Sequence, residues 1–383
     1  MGTKEVLDPF ANVHALASEC GEKWPSFSKS VDKTNEVKAI LATVFKGKER
    51  LLDANASLVL CGSFARNEMV PDSDCDWSLL IDGGVSTKHT DMVLGVQKAM
   101  EEGKTLGLKA PGNSGVFGNM CISHDLVHRI GGSADTNGNL TRRLLMLLES
   151  KPINLSPANR SETVWEGVVS SILQRYFEED VHFSVKGERR VPRFLFNDLT
   201  RYWRTICVDY AAKHWDQGEA KWALRNAKLR FSRKLLYASG MAFCFACQLN
   251  PPKPVSEMPL FEISGELSTK DYVNLGKEFA RTPPLEYLAA FIRAFVIDDQ
   301  RRKLISSKIF GSYNEWLKIL GDDASREHLT SLSHDDARED ELFDREIRVL
   351  SKEFASGLKL LFFNRDEDPT DAIVDLSIEY VGF

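Results

Sequence analysis

Residues 62–76 read Gly62-Ser63-Phe64-Ala65-Arg66-Asn67-Glu68-Met69-Val70-Pro71-Asp72-Ser73-Asp74-Cys75-Asp76. Two apolar runs flank them. Ala56–Cys61 (ASLVLC) has the pattern of a short buried strand ending in a glycine turn. Asp74–Ile81 (DCDWSLLI), closed by Asp82-Gly83-Gly84, reads as a second strand. Glycine at a strand end lets the backbone approach a ligand closely, which makes Gly62 and Ser63 candidate binding residues. If Phe64–Met69 opens a helix, its free N–H groups face the same point and favour phosphate. Side chains two apart on a strand share a face, so Asp74 and Asp76 point together and Cys75 points into the core. Two convergent carboxylates do not easily stay ionised side by side without a cation. Mg²⁺ held by carboxylates and triphosphate oxygens suits this pattern, with Mn²⁺ as a substitute. Such an ion would align a nucleotide's α-phosphate and offset charge on departing pyrophosphate.

The order strand, Gly62-Ser63, short helix, then Asp74-Cys75-Asp76 resembles the signature of the DNA polymerase β-like nucleotidyltransferase superfamily. Arg66 and Glu68 follow Gly-Ser in the family's GSxARGE style, and Pro71 with Ser73-Asp74 matches its P-x-SD-x-D ending. The combination is most similar to the branch of the protein-PII uridylyltransferase, the glutamine-synthetase adenylyltransferase and related bacterial proteins. Asn67 stands where the family often has glycine, a mild departure because Asn tolerates positive φ. The resemblance implies an α+β fold, a small mixed β-sheet domain of the polymerase β type followed by a large all-helical domain. It implies Mg²⁺-dependent transfer of a nucleoside monophosphate from a nucleoside triphosphate to a hydroxyl acceptor. Asp74 and Asp76 would be catalytic metal ligands, with Gly62, Ser63 and Arg66 at the nucleotide. Many members carry a third carboxylate. Asp125, in Cys121–Arg129 (CISHDLVHR), is the leading candidate, with Asp135 and Glu149 behind it; this run reads either as a strand or as a helix ended by Gly131-Gly132. The superfamily's helical domain commonly supplies a lysine and a hydroxyl to the donor triphosphate, which points to Lys228 and Ser232. The acceptor stays open: a protein or small molecule, or a second nucleotide that gives a cyclic or linear oligonucleotide signal. A catalytically idle nucleotide sensor or partner-docking module is the non-enzyme alternative.

Composition bounds these readings. The chain has 383 residues, 43% hydrophobic and 27% charged, which is an ordinary globular composition. No apolar run approaches the roughly 18 residues of a bilayer span, and no membrane partner is expected. Seven cysteines without a regular framework fit a reduced intracellular protein, and the N-terminus lacks a secretory pattern, so a cytoplasmic location is expected. The net charge of −6 disfavours a long nucleic acid as partner. Charge is uneven, however. Lys186–Lys234 holds 13 Lys/Arg against 5 Asp/Glu, as expected of a polyphosphate site or a solvated helix face.

The chemistry of the chain changes near Ile153. Before it, helices are expected over Val31–Leu52, Thr90–Glu102 and Leu140–Ser150, with a loop over Leu106–Asn119. After it, helices are expected over Phe194–Lys213, Lys221–Phe245, Leu285–Leu320 and Asp340–Phe363, with a proline-rich loop around Pro251–Pro259. The expected division is a loosely structured segment at 1–30, a catalytic domain at 31–153, a helical domain at 154–365 and a tail at 366–383. Arg142 and Arg143 either line the cleft or lie exposed. Asn197, Arg201 and Arg204 share one helix face, as do Arg225, Lys228 and Ser232. Cys244-Phe245-Ala246-Cys247 lies in an apolar helix and reads as core rather than zinc. His124 and His128 are four apart and can meet, with nothing nearby to complete a site. Trp203, Trp215 and Trp222 read as packing anchors.

Overall fold

The computed structural model describes residues 8–111, 116–155, 161–180, 189–217, 221–250, 267–364 and 371–381, with side chains 213–217 left aside. The proline-rich loop expectation, Lys186 and the side chain of Trp215 lie outside the described residues. The fold is mixed α+β. Helices α1 (Ala11–Cys20) and α2 (Pro25–Val44) precede strands β1 (Ala56–Cys61) and β2 (Trp77–Ile81). Then follow α3 (Thr87–Gly103), β3 (Asn119–Ile122), α4 (Ser123–Val127), α5 (Asn137–Leu148) and β4 (Ser150–Ile153). The remainder is helical: α6 (Ser161–Asp180), α7 (Arg193–Gln217), α8 (Trp222–Lys228), α9 (Lys234–Gln248), α10 (Thr269–Arg281) and α11 (Pro284–Phe295), then α12 (Asp299–Ser306), α13 (Ser312–Leu320), α14 (Asp323–Ser331), α15 (Arg348–Phe363) and α16 (Ala372–Val381).

The sheet order is β3-β2-β1-β4. β1 is antiparallel to both β2 and β4, and β2 is parallel to β3. A parallel pair needs a crossover, which α3 supplies. The run ASLVLC is continuously apolar because β1 is covered on both faces. Leu58 and Leu60 pack with Leu79, Ile81 and the apolar faces of α2 and α3. Val59 and Cys61 pack on the opposite side, in a core shared with α6 and most of the later helices. β4 pairs in register Cys61↔Ser150 and Leu58↔Ile153, which puts Glu149 beside the C-terminal end of β1.

Several expectations change. Residues 8–30 are not loose: α1 packs on α11 and α12, and Phe10, Val13, Leu16 and Phe27 are core residues of the helical body. Glu286 holds α1 in place by accepting from the N–H groups of Asn12 (2.8 Å) and Val13 (3.3 Å). α2 ends at Val44 rather than Leu52. β3 and β4 are strands too short to stand out in sequence. The 154–365 region shares one continuous core with a face of the sheet, so the boundary at 153 does not separate two cores. Within 366–383, α16 packs on α15 and is anchored by an ion pair between Arg301 and Asp371.

Candidate active site

β1 ends at Cys61, and Gly62 turns the chain at φ +67°. The Phe64–Met69 segment is a tight turn, not a helix. Arg66 N–H reaches Gly62 O (3.1 Å) and Glu68 N–H reaches Ser63 O (2.8 Å), and Asn67 between them, at φ +56°, stops helical continuation. A phosphate here would meet the turn's own N–H groups rather than a helix terminus. The chain re-enters the sheet through an extended stretch. Strand pairing begins at Trp77, three residues later than expected, although Cys61 N–H still bonds to Asp76 O at 2.9 Å. Cys75 is buried in the core, and Asp74 and Asp76 both line a cavity with Gly62, Ser63 and Arg66. A Cβ on Gly62 would lie 3.3 Å from Asp76 Oδ2, so the backbone hugs that carboxylate because no side chain intervenes.

The opposite wall comes from the helical region. α8 continues into α9 through a π-helical turn, Leu229–Arg233. Lys228, Ser232 and Arg233 all face the cavity. Four-residue spacing aligns Lys228 with Ser232 in an α-helix, and the wider π turn brings Arg233 onto the same side. Arg326 of α14 completes the wall. It grips the loop before Asp74 by donating to the carbonyls of Pro71 (3.3 Å) and Asp72 (2.6 Å). The enclosed volume is about 70 Å³, room for an ion and phosphate oxygens, whereas a whole nucleotide usually takes about 300–1,000 Å³.

Beneath the turn lies a charged lattice. Arg66 Nε donates to Glu68 Oε2 (2.8 Å) and its Nη1 to Glu149. Arg233 Nη1 donates to Glu149 Oε1 (2.6 Å), and Tyr313 Oη donates to Glu68 Oε2 (2.8 Å). These contacts neutralise Arg66 and Arg233, which leaves Lys228 and Arg326 to face Asp74 and Asp76. Burial, then the neighbouring Asp74, pushes the Asp76 carboxyl up to about 6, against the pull of Arg233 and Lys228. Burial, then Arg326, pushes the Lys228 ammonium down to about 8.

Seven sequence candidates (Gly62, Ser63, Arg66, Asp74, Asp76, Lys228 and Ser232) meet at this one cavity. Asp125 does not. β3 runs parallel to β2, away from the cavity, and Asp125 lies beyond its far end on α4, paired with Arg129 at 2.8 Å. Asp135 is also elsewhere, bound to Arg143. Arg143 is neither in the cleft nor exposed. It is fully buried among Asp135, Asp198 and Tyr176. Arg201 joins that network through Asp135 O at 3.0 Å. Two further carboxylates stand at this end of the sheet: Glu68, which lines the cavity, and Glu149, with both oxygens engaged by arginines. The His124 and His128 rings do meet, at 5.0 Å, away from the cavity. Arg233 and Arg326 line the cavity as well, although the sequence singles out neither. Arg233 lay in the basic segment, but no local pattern marks Arg326.

Among the described residues no group of three or more His, Cys, Asp or Glu could hold a metal. Asp74 and Asp76 do fit an ion that takes its other ligands from phosphate and water, as Mg²⁺ does. The paired carboxylates, one of them buried against a side-chain-free backbone, would supply the protein's share of such a coordination sphere.

Compared with protein-family models, with curated proteins and with solved structures, the chain matches none.

Proposed function

We propose that this chain is a Mg²⁺-dependent nucleotidyltransferase of the DNA polymerase β-like superfamily. One observation carries the reading: two carboxylates separated by a single residue converge on a cavity with a Gly-Ser turn and with cations from helices some 150 to 250 residues further along the chain. A site of this charge pattern accepts a metal–triphosphate complex. Asp74 and Asp76 would hold the metal, which would supply neutralisation of the phosphates and of the departing pyrophosphate. Ser63 offers its N–H and hydroxyl to the β- and γ-phosphates, while Gly62, whose N–H is donated to Glu149 O at 3.3 Å, contributes the space that a side chain would fill. Lys228 and Arg326 balance the remaining negative charge, and Ser232 donates a hydrogen bond. With the phosphates in the cavity, ribose and base lie at its mouth. An acceptor hydroxyl oxygen bonds to the α-phosphorus as the bond to the bridging oxygen breaks. Pyrophosphate leaves, and the hydroxyl proton passes to solvent.

The test incubates purified protein with each α-labelled nucleoside triphosphate and Mg²⁺, alongside an Asp74→Ala/Asp76→Ala variant. Label moving into oligonucleotide, small molecule or protein, and absent in the variant, supports the reading and identifies the acceptor class. Turnover that persists in the variant refutes the site assignment. Absence of both turnover and Mg²⁺-dependent nucleotide binding refutes the function.

A further inference from the structure

A second concavity, of about 590 Å³, shares the Gly62 turn as a wall, since Phe64 and Ala65 line it. Its other walls are α2, β4 with the residues that follow, α6 and α10. The volume falls in the range usual for small-molecule sites. Its charges are unbalanced. Arg281 pairs with Glu166 at 2.9 Å and with Glu162 at 3.7 Å, and lies over the Trp165 ring at 5.8 Å, which leaves the two lysines of the groove unmatched. Lys38 of α2 and Lys151 of β4 also line the concavity, and neither has a hydrogen-bond or ion-pair partner among the described residues. Burial lowers the Lys151 pKa, and Lys38 pushes it the same way. A half-buried ammonium whose charged neighbour is a second ammonium is costly, and a bound anion removes that cost. A peptide strand is a poor occupant. β4 is an edge strand, but Pro152 in its middle has no N–H with which to extend the ladder.

We propose that this groove binds a phosphorylated small molecule, with its phosphate between Lys38 and Lys151 and its organic part against the half-buried wall of Ala65, Pro152 and Ile153. Two lysines match a phosphate dianion as point charges, without the fork geometry that a carboxylate draws from arginine. The groove's occupant touches the same turn that carries Gly62 and Ser63. The inference does not depend on the proposed chemistry at the neighbouring cavity.

The experiment titrates wild type, Lys151→Gln and Lys228→Gln with inorganic phosphate, a sugar phosphate and a nucleoside 5′-monophosphate by calorimetry, without metal. Saturable binding that weakens roughly tenfold in Lys151→Gln, as expected for loss of one charge-assisted hydrogen bond, and persists in Lys228→Gln supports the site. The tightest of the three probes then identifies the organic part. Binding lost only in Lys228→Gln, unchanged in Lys151→Gln, or absent from wild type overturns it. A Lys151→Met variant supplies an independent readout. If the lysine is an uncompensated charge, its ligand-free Tm equals or exceeds that of wild type, whereas a clear fall in Tm means that the lysine serves the fold, and sinks the proposal.

Discussion

Arg233 donates to Glu149 at 2.6 Å across 84 residues of chain, while Arg66 of the Gly62 turn holds the other oxygen of the same carboxylate. One fully buried side chain thus ties the turn to the helical wall of the cavity. Removing it leaves two guanidiniums facing each other. Glu149→Ala is expected to cost about 3–5 kcal/mol, the usual result of stripping one member from a buried ion network. Urea denaturation measures this, and a loss below about 1 kcal/mol, typical of exposed pairs, would show that the lattice is not structural.

Nucleotide binding should follow a bell-shaped pH profile. Asp76 titrates near about 6 and must be ionised to hold a cation, so Mg²⁺-dependent affinity rises with pH through that value. Lys228 titrates near about 8 and must be protonated to attract phosphate, so affinity falls above it. Calorimetry across this range checks both limbs, and Lys228→Arg should extend the plateau upward. A flat profile would contradict the assigned roles.

Gly62→Ala tests the close approach to Asp76. The new Cβ would stand 3.3 Å from Oδ2 at a φ of +67°, which L-residues disfavour by about 1–2 kcal/mol. The expected outcome is a modest drop in Tm with a much larger loss of Mg²⁺-dependent nucleotide binding. A variant that binds as wild type does would show that the backbone need not hug the carboxylate.

The Arg143 network should dominate acid stability. Burial acts to raise the Asp135 carboxyl, but hydrogen bonds and charge from Arg143 outweigh it and hold the pKa below the usual range. The group therefore contributes stability above its unfolded pKa near 4, and that contribution is lost as pH falls through the folded value. In Arg143→Met the carboxyl loses its nearest partner and keeps only Arg201 (3.4 Å) and the Gly131 N–H (3.3 Å), so its pKa moves up and the stability lost on acidification shrinks. Denaturation of both proteins at several acidic pH values separates the two slopes. Parallel slopes would rule out this role.

Asn67 should accept glycine but not a branched side chain. It sits at φ +56°, where Asn is tolerated and β-branched residues are not. Asn67→Gly is expected to change stability by less than about 1 kcal/mol and Asn67→Val by more, read from Tm.

What sequence alone determined here is local. A continuous apolar run marked β1 because both faces of that strand are covered. Alternation through Asp74-Cys75-Asp76 assigned the carboxylates to one side and the thiol to the core, even though strand pairing starts later. Four-residue spacing put Lys228 and Ser232 together. Most of what the sequence did not show depended on non-local packing. Strand direction carried Asp125 away from the cavity, because β3 runs parallel to β2. Antiparallel pairing of the short β4 brought Glu149 to the site end. A π turn redirected Arg233, and the docking of α14 onto the Asp72 loop supplied Arg326. The α1 segment shows no strong pattern in sequence because its few apolar residues gain burial chiefly against α11 and α12. Propensity and periodicity report what a segment favours on its own, whereas the partners of a buried charge or a short strand are chosen by which distant surfaces the rest of the chain brings to it.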